Sequence, residues 1–149
     1  MEVLMLVMVL AVLNNDANGP VPENGVPVAK RLAACPDKPN CVSSRARDTK
    51  HAVAPMRLKE GAVGVWATIR ETVSGLPRCT IVKATDRYLH ATCKSRLFGF
   101  TDDLEMRLEP DTGIVDIRSA ARSGYSDFGV NRKRVEGLRS LLKEKALID

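Results

Sequence analysis

Arg132, Lys133 and Arg134 follow Asn131 directly, and Asn131 is a sound N-cap for the amphipathic stretch behind it. Three cations are therefore expected in the first turn of a helix. There the peptide dipoles already present positive charge, and each cation is unfavourable by roughly 0.3 to 1 kcal/mol. Such a cluster needs compensation. Asp127 in the preceding loop is one source, and Asp102, Asp103, Glu105 and Asp116 are others. An external anion is the alternative, held by Arg132, Arg134 and free helix N–H groups, with Arg96, Arg118 and Arg122 as neighbours. A network of internal ion pairs is the simpler reading, because surface arginine is common and surface pairs contribute little.

The cysteines form two sets. Cys35 and Cys41 close a short loop that contains Pro36 and Pro39, and a bond between them would stabilise by roughly 2 kcal/mol through loop-closure entropy. A local disulfide is the expected state. The spacing does not fit a thioredoxin-like redox pair, and no cluster of His and Cys completes a zinc site, so no metal and no cofactor is expected. Cys79 and Cys93 fall on neighbouring expected strands. A three-residue turn would put them directly opposite one another, which permits a bond, but both point into an apolar face where free cysteines pack as small hydrophobes. Packing as free thiols is the favoured expectation for this pair.

Asp102 and Asp103 could act as general acid and base, but neighbouring residues of a strand point to opposite faces. With Asp127 they support only a secondary reading, a small hydrolase-like enzyme with its carboxylates gathered in a cleft. His51 and His90 are the chain's two histidines. Neither stands in the context of a hydrolytic triad, and glycine-rich phosphate loops are absent, so the reading leans away from catalysis.

These residues need elements to position them. Ala62, Val65, Trp66, Ile69, Val73 and Leu76 recur at helical spacing, and Gly75 then Pro77 are expected to cap and stop that helix. Residues 78–84 and 88–98 alternate as strands. Cys79, Ile81, Leu89, Ala91, Cys93 and Leu97 would share one face, and Thr80, Val82, Tyr88, His90, Thr92, Lys94 and Arg96 the other. Leu104, Met106 and Leu108 mark a third strand, and Ile114 to Arg118 a fourth after the Pro110–Gly113 turn. Val135, Leu138, Leu141 and Leu142 form the stripe of a last helix. The expected fold is α+β, a four-stranded antiparallel sheet with two helices on one face, in the order helix, four strands, helix.

Size and composition frame this plan. The chain has 149 residues and a net charge of +5, with no Lys or Arg in its first 29 residues, so the charge concentrates behind them. A basic domain favours acidic partners such as phosphate esters or lipid headgroups. Three Phe, two Tyr and one Trp are few for a single-stranded nucleic-acid platform, and no specific nucleic-acid partner is expected. Val3 to Leu13 is an apolar run about half the ~20 residues that span a bilayer, a length that suits an export signal. Residues 1–17 are thus expected to be a hydrophobic leader, 18–29 a flexible linker, and 30–149 one domain.

Three stretches carry a resemblance. Cys35-Pro36-Asp37-Lys38-Pro39-Asn40-Cys41-Val42-Ser43-Ser44, then Ser95 to Asp103, then Arg122 to Arg134, resemble the domain-of-unknown-function family 1499 over nearly the whole domain. That resemblance implies a small domain of bacteria and plastids, commonly behind export or membrane-anchoring sequences, in the periplasm or thylakoid lumen. It implies no activity, cofactor or catalytic residue. The combined expectation is a non-catalytic extracytoplasmic accessory or binding module that recognises an anionic group through Arg96, Arg118, Arg122, Arg132 and Arg134. An anionic small molecule, a lipid headgroup or peripheral association with a membrane would be its partner. The other alternative is a structural domain that docks a partner protein.

Overall fold

The structure, a computed structural model, describes residues 31–59, 62–96 and 98–149. The expected leader over 1–17, the linker over 18–29 and the place of Leu97 lie outside the described residues. Among the described residues eight elements follow one another. They are β1 (Cys41–Ser43), β2 (Met56–Arg57), α1 (Ala62–Ser74), β3 (Cys79–Ala84), β4 (Tyr88–Lys94), β5 (Thr101–Glu109), β6 (Ile114–Ala121) and α2 (Val130–Glu144).

The fold is α+β with an antiparallel sheet of order β1-β6-β5-β4-β3, and β2 also pairs with β6. Four strands were expected and, among the described residues, six are found. The two extra strands are 3 and 2 residues long and precede α1, too short to show an alternating pattern. They pair with the outer edge of β6, Cys41 opposite Ala120 and Met56 opposite Val115, and so bring the Cys35–Cys41 segment onto the sheet.

In β4 and β5 the alternation is strict, the pattern of a strand with one face packed and the other open. Every second residue of β5, from Asp102 to Leu108, is buried, and the residues between are half-buried. Leu89, Ala91, Leu104, Met106, Val115 and Ile117 pack with Val65, Trp66, Ile69 and Val73 of α1 and with Val135, Leu138 and Leu142 of α2 in one core. Both helices therefore cover the same face of the sheet. Truncating a fully buried member such as Leu104 to Ala would cost about 2–5 kcal/mol. Leu141, expected on the apolar stripe of α2, is exposed instead.

Three local details depart from expectation. Gly75 takes no left-handed backbone; its N–H bonds back to Glu71 and Thr72, and Arg78 is the residue with φ 57 where the chain enters β3. The β3–β4 pairing runs Cys79 to Cys93 and Ile81 to Ala91 as a three-residue turn dictates, then slips by one at a bulge around Val82. Cys79 and Cys93 are bonded, not free, so the packed-thiol expectation is overturned. Their Cα atoms are register partners, and burial of Cys93 does not hinder a bond formed across the pair. Cys35 and Cys41 are bonded as expected.

Candidate functional site: a carboxylate-free basic recess

The start of α2 is neutralised from within. Gly129 (φ 79) is the N-cap residue, with no side-chain cap bond of its own. Asp127 does the capping: its Oδ1 accepts the Gly129 N–H at 2.9 Å and its Oδ2 the Asn131 N–H at 2.9 Å. Asn131, expected as the cap, is the second residue of the helix and is fully buried. Its side chain bonds Ser119 Oγ at 2.6 Å and Asp127 at 2.7 Å. The N–H groups of Gly129, Val130 and Asn131 are thus held by an aspartate of the chain itself and not left for an external anion.

The two arginines of this turn are committed as well, whereas Lys133 is exposed. Arg134 donates to Asp102 at 2.7 Å and to Asn131 Oδ1 at 2.7 Å, a pair shielded from water on the helix-covered side of the sheet. Arg132 donates in the other direction, to the carbonyls of Ala52 (2.8 Å) and Lys50 (3.0 Å). A recess of about 200 Å³ does lie here, lined in part by Lys50 and Arg132, but Asp127 stands in its wall.

Arg118 and Arg122 lie on the opposite, open face of the sheet. Arg122 grips Asp103 with two bonds of 2.9 and 2.8 Å, and His90 Nε2 lies 2.7 Å from the same carboxylate. Glu105 accepts bonds from Tyr88 Oη at 2.7 Å and Arg118 at 3.1 Å. Asp116 accepts Arg45 at 2.6 Å and Ser44 at 2.8 Å. The paired Arg122 guanidinium holds the Asp103 carboxyl below the usual carboxylate range, with partial burial opposing and His90 assisting. Burial and then the Glu105 carboxylate push the Tyr88 phenol well above its ordinary value. Each acid named on this face already has a cation or hydroxyl donor.

The five arginines expected to act together are therefore not gathered. Arg118 and Arg122 sit on the open face, Arg132 and Arg134 on the helix side, and Arg96 in the turn after β4. The hydrolase reading meets the same geometry. Asp102 is buried against Arg134, Asp103 pairs on the open face and Asp127 caps α2, so no cleft collects the three carboxylates. His51 is buried with one ring nitrogen 2.8 Å from Asp48 and the other 2.9 Å from the Lys38 carbonyl, a structural engagement of both. Among the described residues no group of His, Cys, Asp and Glu is placed to hold a metal ion.

A different cluster stands out by what it lacks. At the β3 start and β4 end, Arg78, Thr80, Thr92, Lys94, Ser95 and Arg96 line an open recess of about 410 Å³, with no carboxylate among its lining residues. The local chain explains the arrangement. The Cys79–Cys93 bond staples the two strands, Thr80 and Thr92 are register partners beside it, and the next residues along are Arg78 and Lys94. Arg78 and Lys94 are tied to each other through backbone, Lys94 N–H to Arg78 O at 3.0 Å and Arg78 Nε to Lys94 O at 3.3 Å. Ser95 closes a tight turn by bonding both ways with Phe100. Three cations and three hydroxyls in one concavity can hold a tetrahedral oxyanion by charge-assisted hydrogen bonds. Thr80, Thr92, Lys94 and Arg96 are expected on one face from their alternation; Arg78 and Ser95 were not named with them, although Arg78, at the start of the expected strand, shares the parity of Thr80.

The two disulfides fit an oxidising, extracytoplasmic location. Among the described residues no helix is long and apolar enough to cross a membrane. A family model described as protein of unknown function (DUF1499) matches residues 31–142. No curated protein and no solved structure matches the chain.

Proposed function

Because the chain belongs to the DUF1499 family, which brings no activity with it, we propose from its geometry alone a non-catalytic extracytoplasmic module that recognises an anionic group. The recess of Arg78, Lys94 and Arg96 with Thr80, Thr92 and Ser95 is the site in this reading. The observation that carries it is the company these cations keep: hydroxyl groups and no acid line the recess, whereas Arg118, Arg122 and Arg134 each face a carboxylate. A phosphate or sulfate ester is the class that matches cations beside hydroxyl donors. The periplasm, the cell exterior and the thylakoid lumen are compartments where such a disulfide-bonded domain would work.

The test is ligand-dependent thermal stability at low salt. Inorganic phosphate at a hundredfold excess over its dissociation constant should stabilise the protein by about 2.7 kcal/mol. Lys94→Gln/Arg96→Gln should abolish that gain while leaving the unliganded melting temperature nearly unchanged. A phosphate response equal in wild type and variant, or none in either, would count against the recess.

A further inference from the structure

Every phenylalanine of the chain is exposed. Phe98 is 76% exposed, Phe100 52% and Phe128 89%, and Tyr125 adds a fourth ring at 68%. These rings are not scattered over the surface. Phe98 and Phe100 belong to the turn between β4 and β5, and Tyr125 and Phe128 to the connection between β6 and α2. Both segments leave the same end of the sheet, where Lys94 pairs with Thr101, Asp102 with Ala121, and the Arg122 N–H bonds the Thr101 carbonyl at 3.0 Å. Phe98 and Phe100 stand with ring centroids 5.7 Å apart on either side of Gly99, itself a lining residue of the basic recess. Phe128 is held outward by a left-handed backbone (φ 53), with its N–H bonded to Ser126 Oγ at 3.2 Å, a conformation uncommon for a residue with a side chain.

We propose that this end of the sheet docks on an anionic lipid bilayer, with Phe98, Phe100 and Phe128 entering the interface and a lipid phosphate seated among Arg78, Lys94 and Arg96. The inference rests on the anion-binding reading of the recess and names its partner. Aromatic rings settle at the level of the headgroups, and cations within reach of an anionic surface are drawn to it. Here both occur at one end, and the acid-free recess supplies the charge complementarity that selects an anionic bilayer over a neutral one. Single-stranded nucleic acid would also use rings and cations. The disulfide bonds favour an oxidising compartment, which argues for the lipid surface.

The experiment uses the full chain carrying Phe98→Trp, so that the signal comes from the turn and not from the N-terminal apolar run. The chain's own Trp66 is buried in the core and supplies a constant background. Vesicles of phosphatidylcholine alone and of phosphatidylcholine with phosphatidylglycerol are titrated in. The expected result is a blue-shifted, lipid-quenchable indole emission with the anionic vesicles only. Binding should weaken roughly fivefold for each cation removed in Lys94→Gln and Arg96→Gln, and roughly tenfold in Phe128→Ala. No change of emission overturns the bilayer as partner, and so does equal insertion into neutral vesicles or a response to a single-stranded oligonucleotide in place of lipid. Inorganic phosphate separates this failure from that of the recess itself. A phosphate-induced stabilisation lost in Lys94→Gln/Arg96→Gln, with no indole insertion, leaves the anion site standing and removes the membrane.

Discussion

The start of α2 and the end of β4 both crowd cations, yet they end in opposite states. At α2 the positive charge meets Asp127 on the peptide N–H groups, Asp102 on Arg134 and backbone carbonyls on Arg132. At the β3–β4 edge, Arg78, Lys94 and Arg96 meet hydroxyls, and no acid among the lining residues. In the first region Arg134 holds the helix to the sheet and Arg132 holds it to the connection between β1 and β2. The second leaves its cations facing water at a concave edge, where charge is available for a ligand. A count of cations would rank α2 first, and a count of unneutralised cations reverses the order.

The largest test of that contrast is Asp102→Ala. It strands Arg134 in a shielded place and should cost about 3–5 kcal/mol in urea unfolding. A loss below 1 kcal/mol would mean the α2 cations are not structurally committed, and the comparison would fail. Next in size, Cys79→Ser/Cys93→Ser removes the staple beneath the recess and should cost about 3 kcal/mol. It should also weaken the phosphate response, because Arg78 and Lys94 would no longer be fixed across from one another. Opening the Cys35–Cys41 loop, by contrast, should cost about 2 kcal/mol and leave that response intact.

The open sheet face offers a smaller, pH-dependent check. Asp103 has its carboxyl lowered from the usual 3.8, first by the hydrogen bond from Arg122. A depressed carboxylate contributes stability that is complete above its unfolded value and is lost as pH falls through the folded one. Acid unfolding of the wild type should therefore steepen below about pH 3.8, and Asp103→Asn should flatten that part of the profile. An unaltered profile would show that the Arg122 pair is too well solvated to matter.

Much of the architecture was readable because its strands are long. Period-two alternation over β4 and β5 predicts their buried residues, and the turn at residues 85–87 predicts the pairing of Cys79 with Cys93. The signal fails where elements are short or irregular. Two- and three-residue strands have no period, and the bulge at Val82 leaves no trace in residue type. The arginine cluster failed for a geometric reason. Arg132 and Arg134 are neighbours in sequence, but two residues along an α-helix are a turn of about 200°, so they must point apart. Arg118 and Arg122 share a strand parity that directs them to the face opposite the helices. Capping failed by proximity. Asn131 and Asp127 are both good capping residues, and the earlier one took the role while the later one was buried.

The most direct measurement is a two-dimensional amide NMR titration of the ¹⁵N-labelled protein with inorganic phosphate. The resonances of Thr80, Thr92, Lys94, Ser95, Arg96 and Gly99 should move together with one dissociation constant while those of Gly129 to Arg132 stay in place. Movement at the start of α2 with none at the recess would contradict the reading of the recess as the anion site.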